Sequence, residues 1–169
     1  MIIFRQEEPG DQLAIRRVNE QGFGGGEEAY LVDALRQANA VVLSMVALDG
    51  EDIIAHILFT EVIIMQADSQ FTGLGLGPMA VLPWHQRKGI GSQLLKIALD
   101  KCCRLDYDFV VVLGHPGFYS KFGFSPAKPY GISCEFDAPD EAFMVLGLRE
   151  NALAGRSGIV HYRDEFRNV

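Results

Sequence analysis

The sequence predicts an α/β protein of the α+β kind, built on a mixed β-sheet with helices on both sides. Three observations predict it. Residues 1–40 carry two helical patterns, and residues 41–82 carry three extended runs in succession. A helix then separates those runs from a short, continuously apolar stretch at 108–114. Runs joined by tight turns pair antiparallel, whereas strand–helix–strand brings the chain back parallel, so one sheet holds both kinds of ladder.

The elements follow in order. Residues 2–4 read as a short strand, and 9–20 as a helix with Pro9 and Asp11 near its start, where both residue types are favoured. GFGGG at 22–26 reads as a loop, because that many glycines lose too much entropy in regular structure. A second helix covers 27–37, its acidic start complementing the dipole. Asp49 and Gly50 mark a hairpin between extended runs at 41–48 and 53–64, and Pro83 ends a third run at 71–82. A helix spans 89 to about 104, with Ile90, Leu94, Leu95, Ile97, Ala98, Leu99 and Cys102 forming a broad apolar face. The run at 108–114 suits a strand buried on both faces. A short helix at 117–122, late strands at 133–136 and 142–148, and an extended tail in GIVHYRDEF complete the reading. Repeats and linkers are absent, so one domain is expected over 1–169.

Composition bounds the function. About half the residues are hydrophobic (49%) and 22% are charged, which is ordinary globular usage. No apolar run approaches the ~20 residues of a membrane span, and the N-terminus has no secretory leader pattern. The expectation is therefore a cytoplasmic protein that does not use a membrane. Three cysteines and four scattered histidines give neither a disulfide framework nor metal spacing, so no metal is expected and the cysteines read as buried apolar residues.

The net charge of −7 argues against nucleic acid as a partner. Between Trp84 and Arg104, however, five cations (Arg87, Lys88, Lys96, Lys101, Arg104) face only Asp100, a local +4 that leaves −11 elsewhere. One basic segment in an acidic chain suggests a small anionic ligand. The segment opens with WHQRKGIGSQLLK, in which Gln86-x-x-Gly89-x-Gly91 follows a strand ending MAVLP and begins a helix. Backbone N–H groups there can form a concave nest for a pyrophosphate, with Arg87 and Lys88 beside it. LGLG at 74–77 is not a dinucleotide fingerprint, since no helix follows it and the third glycine is missing, and Gly89-x-Gly91 is not a Walker loop, since no Gly-Lys-Ser/Thr ends it.

GPMAVLPWHQRKGIGSQLL resembles the acetyl-CoA-binding motif of the GNAT superfamily of N-acetyltransferases. LGHPGFYSKFGF at 113–124 resembles the strand-and-helix motif that follows it there. The Leu-Gly-His-Pro wording and PDEAFMVLGL at 139–148 are similar to the YhbS-like branch. The resemblance runs over essentially the whole chain. It implies the GNAT fold, acetyl-CoA as co-substrate, and acetyl transfer to a primary amine.

Residue by residue, it implies that the pantetheine arm pairs with Met79, Ala80 and Val81, with the backbone near Val81 polarising the thioester carbonyl. The pyrophosphate would rest on Gln86, Arg87, Lys88, Gly89, Ile90, Gly91 and Ser92, and Phe118 would wall the arm. Tyr119 would be the general acid to the CoA thiolate; a phenol with a pKa of ~10 is protonated at neutral pH. Relatives often carry a glutamate on the strand where this chain reads LGLGPMAV, which has no acid. Glu27, Glu28, His56, Glu61, Asp140, Glu141 or solvent is left to take the amine proton. That departure keeps a second reading open: a non-catalytic acyl-CoA sensor or partner subunit. The acceptor would be a small-molecule or peptide amine, shaped by the glycine loop, the loop before Phe71 and the late strands. The resemblance also admits a homodimer.

Overall fold

The computed structural model describes residues 1–168, and the chain forms two compact units. The first unit comprises 1–59, 77–101 and the C-terminal 3-10 turn Asp164–Asn168. It holds β1 (Ile2–Gln6), α1 (Gln12–Phe23), α2 (Glu27–Gln37) and β2 (Val41–Asp49). It also takes the first part of β3 (Asp52–Met65), the last part of β4 (Gln70–Val81) and most of α3 (Ile90–Cys103).

Strand order in this unit is β1-β2-β3-β4, with β1 antiparallel to β2 from Ile2↔Asp49 to Gln6↔Met45. Gly50, at φ +63°, makes the tight turn between β2 and β3. Alternation along β4 puts helices on both faces. A Cβ built on Gly22 of α1 would meet Ala80, whereas one on Gly91 of α3 would meet Val81 and Met79. Successive side chains of a strand point to opposite faces, so α1 and α3 cover opposite sides. Ile15, Val18, Leu31, Val32 and Leu35 on one side and Leu94, Leu95 and Ala98 on the other are buried. Ile97, expected in that apolar face, is half-exposed.

The second unit comprises 60–76 and 102–163. It adds β5 (Phe109–Leu113), α4 (Pro116–Tyr119), β6 (Ser125–Pro126), β7 (Ile132–Cys134), β8 (Phe143–Gly147) and β9 (Gly158–His161). Its strands run β9-β3-β4-β5-β8-β6, and β7 lies parallel beside β9. β4 and β5 pair parallel over Leu74↔Val110 to Leu76↔Val112; β5 and β8 pair antiparallel from Phe109↔Gly147 to Leu113↔Phe143. Phe109 to Val112 are buried, as their uninterrupted apolar run implies.

The expected elements are present, with corrections: the strand read at 133–136 is β7 at Ile132–Cys134, and the tail is extended only over Gly158–His161 before the 3-10 turn Asp164–Asn168. The first helix begins as a 3-10 turn (Pro9–Asp11) and runs on to Phe23, so Gly22 and Phe23 are helical and the loop is only 24–26. Gly22 fits a helix because its missing Cβ lets α1 approach β4: a Cβ there would sit 2.9 Å from Ala80 Cβ and 3.3 Å from Val81 O. The short helix starts at Pro116 and becomes 3-10 over Ser120–Phe122. The two-residue strand β6 has no pattern to announce it. Of the cysteines only Cys102 is buried; Cys134 is half-buried and Cys103 is exposed, on the outer face of α3.

β4 also carries a bulge. Gln66 N–H bonds Ser69 O at the β3–β4 turn, and Leu82 N–H bonds Ile54 O at the far end, both at 2.9 Å. Between those bonds β3 advances 12 residues and β4 advances 13. One extra residue therefore sits on β4. Gly77, at φ +146°, lies in that stretch.

Candidate active site

Local sequence builds the turn after β4. Pro83 opens a 3-10 turn over Pro83–His85, closed by His85 N–H to Leu82 O at 2.9 Å. Gln86 is extended, Arg87 takes φ +62° and Gly89 φ +81°. Two left-handed residues so close together curl the backbone, and the glycine adopts its conformation without a Cβ penalty. Gln93 N–H to Gly89 O, 3.0 Å, is the first bond of α3. The N–H groups of Ile90, Gly91 and Ser92 precede that bond and have no acceptor within the helix, at its positive dipole end. Arg87 and Lys88 are exposed, and among the described residues neither has an ion-pair partner. The geometry fits an anion.

The strand before the turn is held from two sides. Gln86 Nε2 donates to Val81 O at 2.9 Å, and Gly22 of α1 covers the same peptide. Because Leu82 N–H points to β3, alternation turns the N–H and C=O of Met79 and Val81 away from β3. Ala80 is buried, while Met79 and Val81 are half-exposed. Ile90 is buried and anchors the helix start, and Ser92 is half-exposed.

In the second unit, α4 starts on His115, whose carbonyl accepts Phe118 N–H at 3.0 Å and Tyr119 N–H at 3.1 Å. The Tyr119 ring lies directly over Gly114, where a Cβ would be 2.3 Å from the ring. Phe118 and Phe124 meet that ring edge-on, with centroids 5.0 and 5.7 Å away. Phe118 is half-buried and also packs on Phe122 at 5.3 Å. Tyr119 is 8% exposed, and burial pushes its phenol up to about 12. Its hydroxyl has no hydrogen-bond partner among the described residues.

The base candidates separate on geometry. His56 is fully buried with both ring nitrogens hydrogen-bonded, which removes it as a direct proton acceptor for a substrate. Glu61 accepts Tyr107 OH at 2.6 Å, and Asp140 pairs Lys128 at 2.7 Å. Glu27 is exposed and Glu28 half-exposed, both in the first turn of α2, and Glu141 is exposed. Two supports escaped the sequence reading: Gly114 beneath Tyr119, and Gly22 against Val81. The only signal for either is a glycine where a strand end or helix would accept alanine.

Strand, curled turn and helix start together define an acyltransferase of the GNAT class, and the GNAT acetyltransferase domain model matches residues 41–126. The chain belongs to the GNAT acetyltransferase family. Over 166 residues it is 33% identical to the uncharacterized N-acetyltransferase YhbS of Escherichia coli K12, covering 98% of each chain. The crystal structure of E. coli YhbS in complex with CoA superposes with a TM-score of 0.93 at 32% identity, over 98% of this chain and 92% of that one. A GNAT family acetyltransferase from Brucella melitensis, in complex with acetyl-CoA, gives 0.77 at 32% identity over 98% of both. The expected mixed-sheet GNAT fold is therefore correct, and so is the enzyme class. Among the described residues no helix is long and apolar enough to cross a membrane.

Proposed function

We propose that the whole chain, 1–169, acts as one N-acetyltransferase domain that moves an acetyl group from acetyl-CoA to a primary amine by direct attack. The observation that carries the proposal is the turn at 86–92, with left-handed Arg87 and Gly89 and with N–H groups on Ile90, Gly91 and Ser92 that have no acceptor within the helix. It offers a pyrophosphate what it needs at no reorganisation cost. Arg87 and Lys88 add charge. The pantetheine arm pairs with the outward backbone of Met79 and Val81, Ala80 between them bonds inward, and Phe118 flanks the arm. Relatives seen with CoA and acetyl-CoA support the choice of co-substrate.

In the reaction the neutral amine nitrogen attacks the thioester carbon. The carbonyl oxygen takes the π electron pair, and Val81 N–H stabilises it. The oxygen pair then re-forms the carbonyl, the C–S bond breaks with its bonding pair leaving on sulfur, and the amine proton passes to solvent. Tyr119 serves the sulfur. A phenol at about 12 facing a thiol of ~8.5 makes full proton transfer uphill by ~5 kcal/mol before cofactor binds. Tyr119 therefore begins by donating a hydrogen bond as charge develops; the thiolate takes that proton only as the phenol draws a replacement from solvent.

The acceptor is a small-molecule or peptide amine, suited to an acidic chain of net charge −7. The absence of a carboxylate from β4 favours one other reading, an acyl-CoA sensor or partner subunit that performs no transfer. Mass spectrometry separates the two. Acetyl-CoA is offered with pooled amines, amino acids, aminoglycosides and peptides, alongside Tyr119→Phe. An acetylated product that weakens at least tenfold in the variant supports the enzyme. Tight acetyl-CoA binding with no product from any amine supports the sensor, and no binding at all overturns both.

A further inference from the structure

A directed chain of hydrogen bonds, part-buried at Glu7 and buried from Ser44 inward, crosses the first unit and plays no part in the chemistry above. Arg36 of α2 grips the Glu7 carboxylate, with Nη2 3.0 Å from Oε1. Ser44 Oγ of β2 lies 2.7 Å from the same oxygen. A carboxylate only accepts, so the Ser44 proton points to Glu7. Ser44 Oγ must then accept from His56 Nε2, 2.9 Å away on β3. That fixes the Nε2–H tautomer and leaves Nδ1 bare, to accept Asn19 Nδ2–H of α1 at 3.1 Å. The same amide group donates to Ile15 O at 3.0 Å.

His56, Asn19 and Ser44 are buried, and burial, with the Arg36 charge second, holds the imidazole down to about 3, so it is neutral. Asn19 Oδ1 is buried with no donor among the described residues. Reversing the amide would set Oδ1 against two acceptors, Nδ1 and Ile15 O. The orientation of Asn19 is thus dictated from Glu7 through His56, at the cost of an orphaned oxygen.

Asn19 lies one helical turn before Gly22, the residue that meets the Ala80–Val81 peptide. Counting back from the Leu82–Ile54 bond, His56 stands opposite Ala80, on the face that α1 covers. We propose that His56 is a positioning residue: acting through Asn19, it seats the last turn of α1 on the Val81 peptide that polarises the thioester carbonyl. The kinetic consequence rests on the proposed acetyl transfer, whereas the seating itself does not.

The test compares His56→Leu, which removes both links, with His56→Asn, whose amide oxygen can still accept from Asn19. Both are measured well below their melting temperatures. In His56→Leu the amide NMR resonances of Gly22 and Val81 should shift, and kcat should fall ~10-fold, a fraction of the ~100-fold cost of an ångström of misplacement. Acetyl-CoA affinity should stay within ~2-fold. His56→Asn should recover most of kcat although its Ser44 link is gone, a pattern that lost stability alone does not produce. Should His56→Leu fail to fold, Asn19→Ala, which removes the other partner of the Nδ1 bond, takes its place with the same expected direction. Unmoved Gly22 and Val81 resonances overturn the proposal, as does a parental kcat accompanied only by a lower melting temperature. If the parent protein transfers no acetyl group, the resonance comparison decides the seating by itself.

Discussion

Replacing Gly114 by alanine should move Tyr119 without altering its chemistry. The new Cβ would lie 2.3 Å from Cε2, 2.9 Å from Cδ2 and 3.3 Å from Cζ of the ring. Carbon atoms in contact sit ~3.5–4.0 Å apart, so ring and backbone must separate by roughly 1.2 Å. Phe118 and Phe124 hold the ring from other sides, so strain spreads into α4. Overpacking of this kind costs ~1–3 kcal/mol, or about 2–12 °C in Tm for a chain of this size. A misplacement of ~1 Å costs ~100-fold in rate, which is ~2.7 kcal/mol of barrier. Acetyl-CoA affinity, assigned to the turn at 86–92, should change less than ~2-fold.

The assay is a double-mutant cycle with Tyr119→Phe, reading kcat by mass spectrometry and Tm by calorimetry. The clash involves the ring and not the hydroxyl, so Gly114→Ala should lower Tm equally in both backgrounds. Its effect on kcat should nearly vanish when the hydroxyl is already gone. Losses in kcat that simply multiply would refute the reasoning, because they would show that the displaced hydroxyl is not what Gly114 protects.

Gly89→Ala forces a side chain into φ +81°, at ~1–2 kcal/mol, although its Cβ meets no protein atom within 4 Å; calorimetry should show acetyl-CoA binding weakened ~10-fold or more. Stability should depend on pH through His56. The unfolded chain protonates it below about 6.5 while the folded protein refuses until about 3, so stability present above 6.5 is lost as pH falls through that window. About 2 kcal/mol should be gone by pH 5, and His56→Leu should flatten that slope in urea titrations. The lowered carboxylates Asp11 and Asp108 titrate in a more acidic range and cannot mimic it. Thr60→Val removes a buried hydroxyl that lacks a partner among the described residues, and should raise stability by ~1–2 kcal/mol in thermal melts.

What could be read from the sequence was written locally. The turn at 86–92 announces itself because its glycines, its flanking proline and the helix after it act within a few residues of one another. The meander at 41–82 is legible for the same reason: alternation and the Asp49-Gly50 turn are short-range signals. Where a glycine answers a distant neighbour, the reading fails. Gly22 looked like part of a flexible loop and is a helical contact with Ala80. Gly73, beside the LGLG mimic, clears space for Phe109, and Gly75, within it, for Val62 with Tyr162. In each case the reason for the glycine lies in another element, far along the chain.

The base question shows the same division. His56 looked like one candidate among six, since a neutral-range imidazole is the usual proton acceptor. Its partners Asn19 and Ser44 stand 37 and 12 residues away, and Ser44 reaches Glu7 across another 37. No spacing rule connects them. Once connected, they reverse the meaning of the residue: each ring nitrogen is already committed, and burial keeps the imidazole neutral. A histidine free to accept a substrate proton would need one nitrogen exposed and a pKa near neutrality. With His56 removed, Glu61 engaged by Tyr107 and Asp140 by Lys128, the proposed mechanism sends the amine proton to solvent rather than to the exposed Glu27 or Glu141 or the half-exposed Glu28. An enzyme working that way should transfer acetyl faster as pH rises toward the pKa of its acceptor amine, without an enzymatic group near 6 to 7 in the profile of kcat/KM.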